Sequence, residues 1–172
     1  MILRLTQKLG SRLKAGSLKP MPMDEAPIAD WTGHLFFFNR TPYIILCNTA
    51  TLYSAVLFGN GITDDSIVIP RALAALRATM EADGLEFAYE RFIVPRTGLI
   101  YFASSFSRSV TGSMNELVAY AKVLLSEEDV SPYGLSGPLN DMLLSSLRND
   151  ESRGYGRPRE AFRSLIAQSR AP

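Results

Sequence analysis

One stretch of the chain concentrates groups able to grip a ligand: Arg108-Ser109-Val110-Thr111-Gly112-Ser113-Met114-Asn115. The apolar run at 99–103 before it reads as a strand, and the residues after it read as a helix. Ser113-Met114-Asn115-Glu116 has the S-x-x-E spacing of a capping box, so the helix is expected to begin near Ser113. The first backbone N–H groups of a helix have no partner within it, and the helix dipole adds partial positive charge there. Gly112 lets a ligand approach the backbone closely. Arg108 adds a planar fork of donors suited to phosphate or carboxylate. Ser109, Thr111, Ser113 and Asn115 add hydroxyls and an amide to orient it. The expectation is an anion-binding corner. The competing reading is a capping box satisfied internally, with Arg108 bonded to carbonyls or an acid of its own chain. Neither G-x-x-x-x-G-K-[ST] nor G-x-G-x-x-G occurs, so phosphate-dependent catalysis has no motif here.

Other chemistries have fewer residues to work with. The chain has one histidine and one cysteine, which excludes a disulfide framework, multi-cysteine zinc sites and His-rich metal sites. Any Ser–His or Cys–His mechanism must use His34, and no partner is identifiable by spacing. His34 opens an apolar strand and reads as an edge histidine; Cys47, within Ile44–Cys47, reads as a small core residue. Asp64-Asp65 reads as a helix cap more cheaply than as half of a magnesium site. No metal and no cofactor is expected. A hydrolase or transferase centred on Arg108 and Ser113 is an alternative that needs an acid or base beside Ser113. Phe36, Phe37, Phe38, Tyr43 and Tyr53 lie on strands and read as core. Stacking of single-stranded RNA competes with that reading, but an RNP1-like pattern is absent.

Charge is balanced: 18 basic against 17 acidic side chains give a net charge of +1. The first twenty residues nonetheless carry Arg4, Lys8, Arg12, Lys14 and Lys19 and no acid. Leu5, Leu9 and Leu13 share a helical face beside Lys8 and Arg12. The bland reading is a core-packing helix with a solvated flank. The sharper one is a nucleic-acid surface formed by Lys8, Arg12 and Lys14 together with Arg153, Arg157, Arg159 and Arg163.

These residues must be positioned by a chain of 172 residues, of which 47% are hydrophobic, so about one domain is expected. No apolar run approaches the roughly 20 residues of a membrane span, and no secretory h-region is seen, so the expected location is cytoplasmic with no membrane partner. Apolar runs at 34–38, 43–48 and 51–58, separated by short turns, predict an antiparallel meander. Strand 99–103, and a short strand at 2–5, are expected to join it. Helices are expected near 7–15, with Thr6 as cap, near 66–83, ending at Gly84, and near 113–125. Residues 85–94 are ambiguous. The fold class is therefore α+β: an antiparallel sheet of four to five strands covered by helices. Its runs are apolar on both faces, so helices or a second copy must cover them, and a homo-oligomer is expected on that ground. Beyond residue 130 the character shifts. Residues 1–130 are read as the core, and 131–172 as a mostly helical appendage, with helices at 140–147 and 158–168, that packs on the core or on a partner.

Several segments also carry a resemblance: Arg4-Leu5-Thr6-Gln7-Lys8-Leu9, Trp31 through His34-Leu35-Phe36, Arg40-Thr41, Asn48-Thr49, Leu52-Tyr53-Ser54 and the stretch from Arg108 to Leu117. They resemble a family of uncharacterised prokaryotic proteins, domain-of-unknown-function family 6933, with R-L-T-x-K-L near the start and R-S-V-x-G-S-M-N-[DE]-L near the end. The resemblance covers about residues 2–125. It implies a small cytoplasmic α+β domain and no activity. It singles out Arg40, Asn48, Arg108, Ser109, Gly112, Ser113 and Asn115 as polar motif positions. The leading expectation is thus a non-enzymatic binding module for an anionic small molecule or protein partner.

Overall fold

The computed structural model describes residues 1–127, 130–147 and 154–169. Strict alternation builds its sheet. In β3 (Thr41–Asn48), Ile44 and Leu46 enter one apolar core while Tyr43, Ile45 and Cys47 enter another. β2 (Asp30–Phe38) and β4 (Ser54–Phe58) pair antiparallel on either side, which is the expected meander. Its first turn is only Asn39 and Arg40, with φ of 45° and 65°. Such a two-residue turn matches the strands' own twist.

The sheet is mixed rather than purely antiparallel. β1 (Ile2–Leu5) lies parallel to both β2 and β5 (Tyr101–Ser104), giving the order β4-β3-β2-β1-β5. The reason is connection length: β1 reaches β2 through α1 (Gln7–Arg12) and a long loop, and long crossovers permit parallel pairing. α2 (Asp65–Ala82) follows β4 and ends at Gly84, whose φ of +70° suits a glycine helix stop. The ambiguous segment that follows is helical throughout. It holds α3 (Glu86–Ala88), a π-type turn at Tyr89–Ile93 and a 3-10 turn at Val94–Arg96.

Both faces of the sheet are covered by the chain's own helices. α1, α2 and α6 (Pro158–Gln168) contribute Leu9, Leu76 and Phe162 to one core. α4 (Arg108–Glu127) and α5 (Pro132–Asn140) contribute Leu117 and Leu139 to the other. The doubly apolar sheet therefore gives no reason for a second copy.

The segment after residue 130 packs on the core. Its first helix is α5, not the expected 140–147, where only a 3-10 turn at Ser145–Leu147 forms. Pro132 occupies the first helical position, where a missing N–H costs nothing, and the Ser131 side chain accepts from the Gly134 amide. The Asn140 side chain then acts as a substitute strand. Its Oδ1 accepts from Ser54 N at 2.7 Å and its Nδ2 donates to Ser54 O at 3.0 Å, closing the open edge of β4. From α6, fully buried Phe162 stacks on Tyr53 at 4.4 Å and meets Trp31 edge-on at 5.8 Å.

Candidate functional site

α4 begins at Arg108, ahead of the expected start at Ser113. Ser107 is the residue that caps it: its Oγ accepts from Val110 N at 3.2 Å, and its carbonyl accepts from Thr111 Oγ1 at 3.1 Å. Ser113 and Glu116 are thereby drawn inside the helix, and their amides are spent in its ladder. The unpaired donors that open α4 are those of Arg108 and Ser109.

A cavity of about 450 Å³ adjoins this terminus, lined by Ser105, Phe106, Ser107, Arg108, Thr111, Gly112 and Asn115. Arg108, Gly112 and Asn115 are exposed. Arg108 has no hydrogen bond or ion pair among the described residues. A Cβ at Gly112 would meet nothing, so the helix surface there is open. The cavity lies at the carboxyl ends of the parallel strands β1 and β5. From β1 the chain leaves for α1 on one face, and from β5 it leaves for α4 on the other. Such a divergence leaves a crevice between the two connections. A second cavity of about 530 Å³, lined in part by Gln7, Ser17 and Ser104, shares Ser105 with the first.

The residues singled out by resemblance are not all brought together. Arg108, Gly112 and Asn115 line the cavity, and exposed Ser109 stands beside it. Ser113 faces inward: it is buried, and its Oγ donates to Ser146 Oγ at 2.8 Å. That partner is neither acid nor base, so among the described residues the hydrolase or transferase reading finds no proton acceptor bonded to its nucleophile. Arg40 is exposed on the β2–β3 turn and does not line the cavity. Asn48 sits at the opposite end of the sheet, paired with Trp31. It is fully buried: Nδ2 donates to Pro27 O and Asp30 O, and Oδ1 accepts from Thr51 N and Thr51 Oγ1. Asn48 is a turn brace with no capacity left for a ligand.

Beneath the corner lies a feature that sequence reasoning passed over. Arg4 is fully buried and clamps Asp30, with Nε to Oδ1 and Nη2 to Oδ2 both at 2.7 Å. Nη1 donates to Met21 O at 2.9 Å and Nη2 to Pro22 O at 2.7 Å. Thr49 Oγ1 and Asp24 N also donate to Asp30. The Phe106 ring of the cavity wall lies 4.8 Å over the Arg4 guanidinium. The available signal was a charge between Leu3 and Leu5 in a strand otherwise apolar.

The other candidates resolve as follows. Arg159 pairs with Asp83 and, at 2.8 Å, with Asp141, whose carboxyl it holds below the usual range. Arg157 pairs with Glu160 at 3.1 Å, and Arg163 donates to Asp83 O. Arg159 and Arg163 tie α6 to its neighbours, while the Arg157 pair lies within the first turn of α6 itself; Arg153 lies outside the described residues. Arg12 donates to Ile62 O at 3.2 Å, Lys8 lies 4.9 Å over the Phe37 ring, and Lys14 is exposed. His34 is half-buried, with Nδ1 3.2 Å from Thr6 Oγ1. Burial first, then Lys8 and Lys122, hold its pKa below the ordinary value. Cys47 is buried, and burial pushes its thiol up to about 12, which keeps it unreactive. Half-buried Asp64 accepts from Ser66 Oγ at 2.6 Å at the head of α2. Among the described residues no group of three His, Cys, Asp or Glu is placed to hold a metal ion. Phe36 and Tyr43 stack at 5.3 Å within the second core.

No helix among the described residues is long and apolar enough to cross a membrane. A search of curated proteins returns no match. The family model described as Domain of unknown function (DUF6933) matches residues 2–161, from β1 into α6, and the chain belongs to that family.

Proposed function

We propose that this protein is a cytoplasmic, non-catalytic binding module that holds a small phosphate-bearing molecule at the N-terminal corner of α4. Arg108 neutralises the anion, the Arg108 and Ser109 amides donate to it, and the Asn115 side chain orients it. The observation that carries this reading is an Arg108 guanidinium without a partner among the described residues, beside an open helix N-terminus and an open cavity. Helix N-termini favour anions through their free amides and dipole. The cavity's volume lies in the range of small-molecule sites. A nucleic-acid surface is less well supported, because Arg157, Arg159 and Arg163 are already engaged within the fold.

Calorimetric titration with inorganic phosphate tests the proposal. Wild-type protein is expected to bind, and Arg108→Gln to bind about tenfold more weakly or less, as fits the loss of a charged hydrogen bond. No heat with wild type, or equal affinity in the variant, overturns it.

A further inference from the structure

The cavity of about 530 Å³ beside the α4 corner differs from the first in its chemistry. Every residue that lines it is uncharged. Leu5 and Leu18 supply its apolar part. A Cβ at buried Gly10 would stand 3.2 Å from Leu18 Cδ1, so the bare helix backbone lets Leu18 lie close. Gln7, Ser11, Ser17 and Ser104 supply the polar part. None of these four side chains makes a hydrogen bond among the described residues. Gln7, Ser11 and Ser17 are exposed, and no buried side-chain oxygen lacks a partner among the described residues, so all four groups reach solvent. The two cavities meet at Ser105, whose Oγ lies 3.0 Å from Thr111 Oγ1 in the wall of the first. Ser104, Ser105 and Phe106 pass from one cavity to the other in two steps of about 3.8 Å between Cα atoms. One crevice thus has Arg108 at one end and neutral donors and acceptors beside an apolar patch at the other.

We propose that this second cavity takes the sugar or polyol body of a phosphate ester whose phosphate sits at the α4 corner. The inference rests on the corner as the phosphate end and adds the class of ligand. Serine hydroxyls and the Gln7 amide each donate and accept, which is what a ring of hydroxyls requires. The C–H face of a sugar covers Leu5 and Leu18. An apolar body would strip water from the serines and Gln7 and return no hydrogen bond, which is costly. A body with a second charge would find no counter-charge in the lining. The chain carries no acid before Asp24, so the segment that forms most of this cavity does not repel the anion.

Calorimetric titrations with inorganic phosphate, ribose 5-phosphate and phenyl phosphate make the test. Ribose 5-phosphate is expected to bind about tenfold more tightly than inorganic phosphate, the gain of one or two net hydrogen bonds. Phenyl phosphate, which carries the same anion on a body without hydroxyls, is expected to show no such gain. Two surface variants then locate the gain. Ser11→Phe fills the cavity, and Gln7→Ala/Ser17→Ala removes polar groups without adding bulk. Both are expected to bring ribose 5-phosphate down to the affinity of inorganic phosphate and to leave inorganic phosphate itself unchanged. Phosphate binding with no gain for the sugar ester overturns this inference alone. So does a gain that survives both variants, or one that phenyl phosphate shares. Absence of binding by inorganic phosphate and by both esters overturns the α4 corner, and this inference with it.

Discussion

Arg4 carries its charge where water does not reach, and that is tolerable only because each of its three side-chain nitrogens donates to an oxygen of the chain. A buried ion pair gains little over a well-packed apolar pair, but breaking one leaves a bare charge in a medium of low dielectric. Arg4→Met is therefore expected to cost about 3–5 kcal/mol by urea denaturation, and Arg4→Met/Asp30→Leu to recover most of that loss. A single variant within about 1 kcal/mol of wild type contradicts this reading of the pair. The same residue shows why the site was only partly legible. A lone arginine between two leucines signals an inward charge, but its partner, 26 positions away, is set by the parallel register of β1 on β2. Ser113 was misplaced for a simpler reason. Two serines compete to cap α4, and Ser107 wins because its Oγ and carbonyl both find partners one turn on. The capping-box spacing of Ser113 and Glu116 is satisfied in sequence and unused in space.

Elements with strong periodicity were legible. The meander and α2 stand where their apolar spacing predicts, and Gly84 stops α2 as its backbone freedom allows. α5 was not legible, because Pro132, Gly134, Gly137 and Pro138 read as interruptions. Its helix survives because Pro132 falls at the first position and because the helix packs on β4 rather than standing alone. Asn140 makes that packing specific by pairing with both backbone groups of Ser54. Asn140→Ala leaves a buried N–H and C=O without partners. The expected loss is about 2–3 kcal/mol in the same denaturation measurement, with Asn140→Asp intermediate because the acceptor to Ser54 N remains. A neutral effect of Asn140→Ala contradicts the edge-closing role.

At the scale of the molecule, the corner exists because β1 and β5 run side by side in one direction while the chain leaves them toward opposite faces. Neither the parallel pairing nor the divergence has a local sequence signature, which is why the helix was expected to open at Ser113 when it opens at Arg108, beside the cavity. The C-terminal helices, read as an appendage, complete both cores, and the family match accordingly runs through residue 161. The most direct measurement is a map of backbone amide shifts during titration with inorganic phosphate. The expected map is led by Arg108, Ser109 and Gly112, with the Ser113 side and Asn48 unmoved, and these shifts collapse in Arg108→Gln. A map in which the opening residues of α4 stay still while phosphate binds elsewhere contradicts the anion-binding corner.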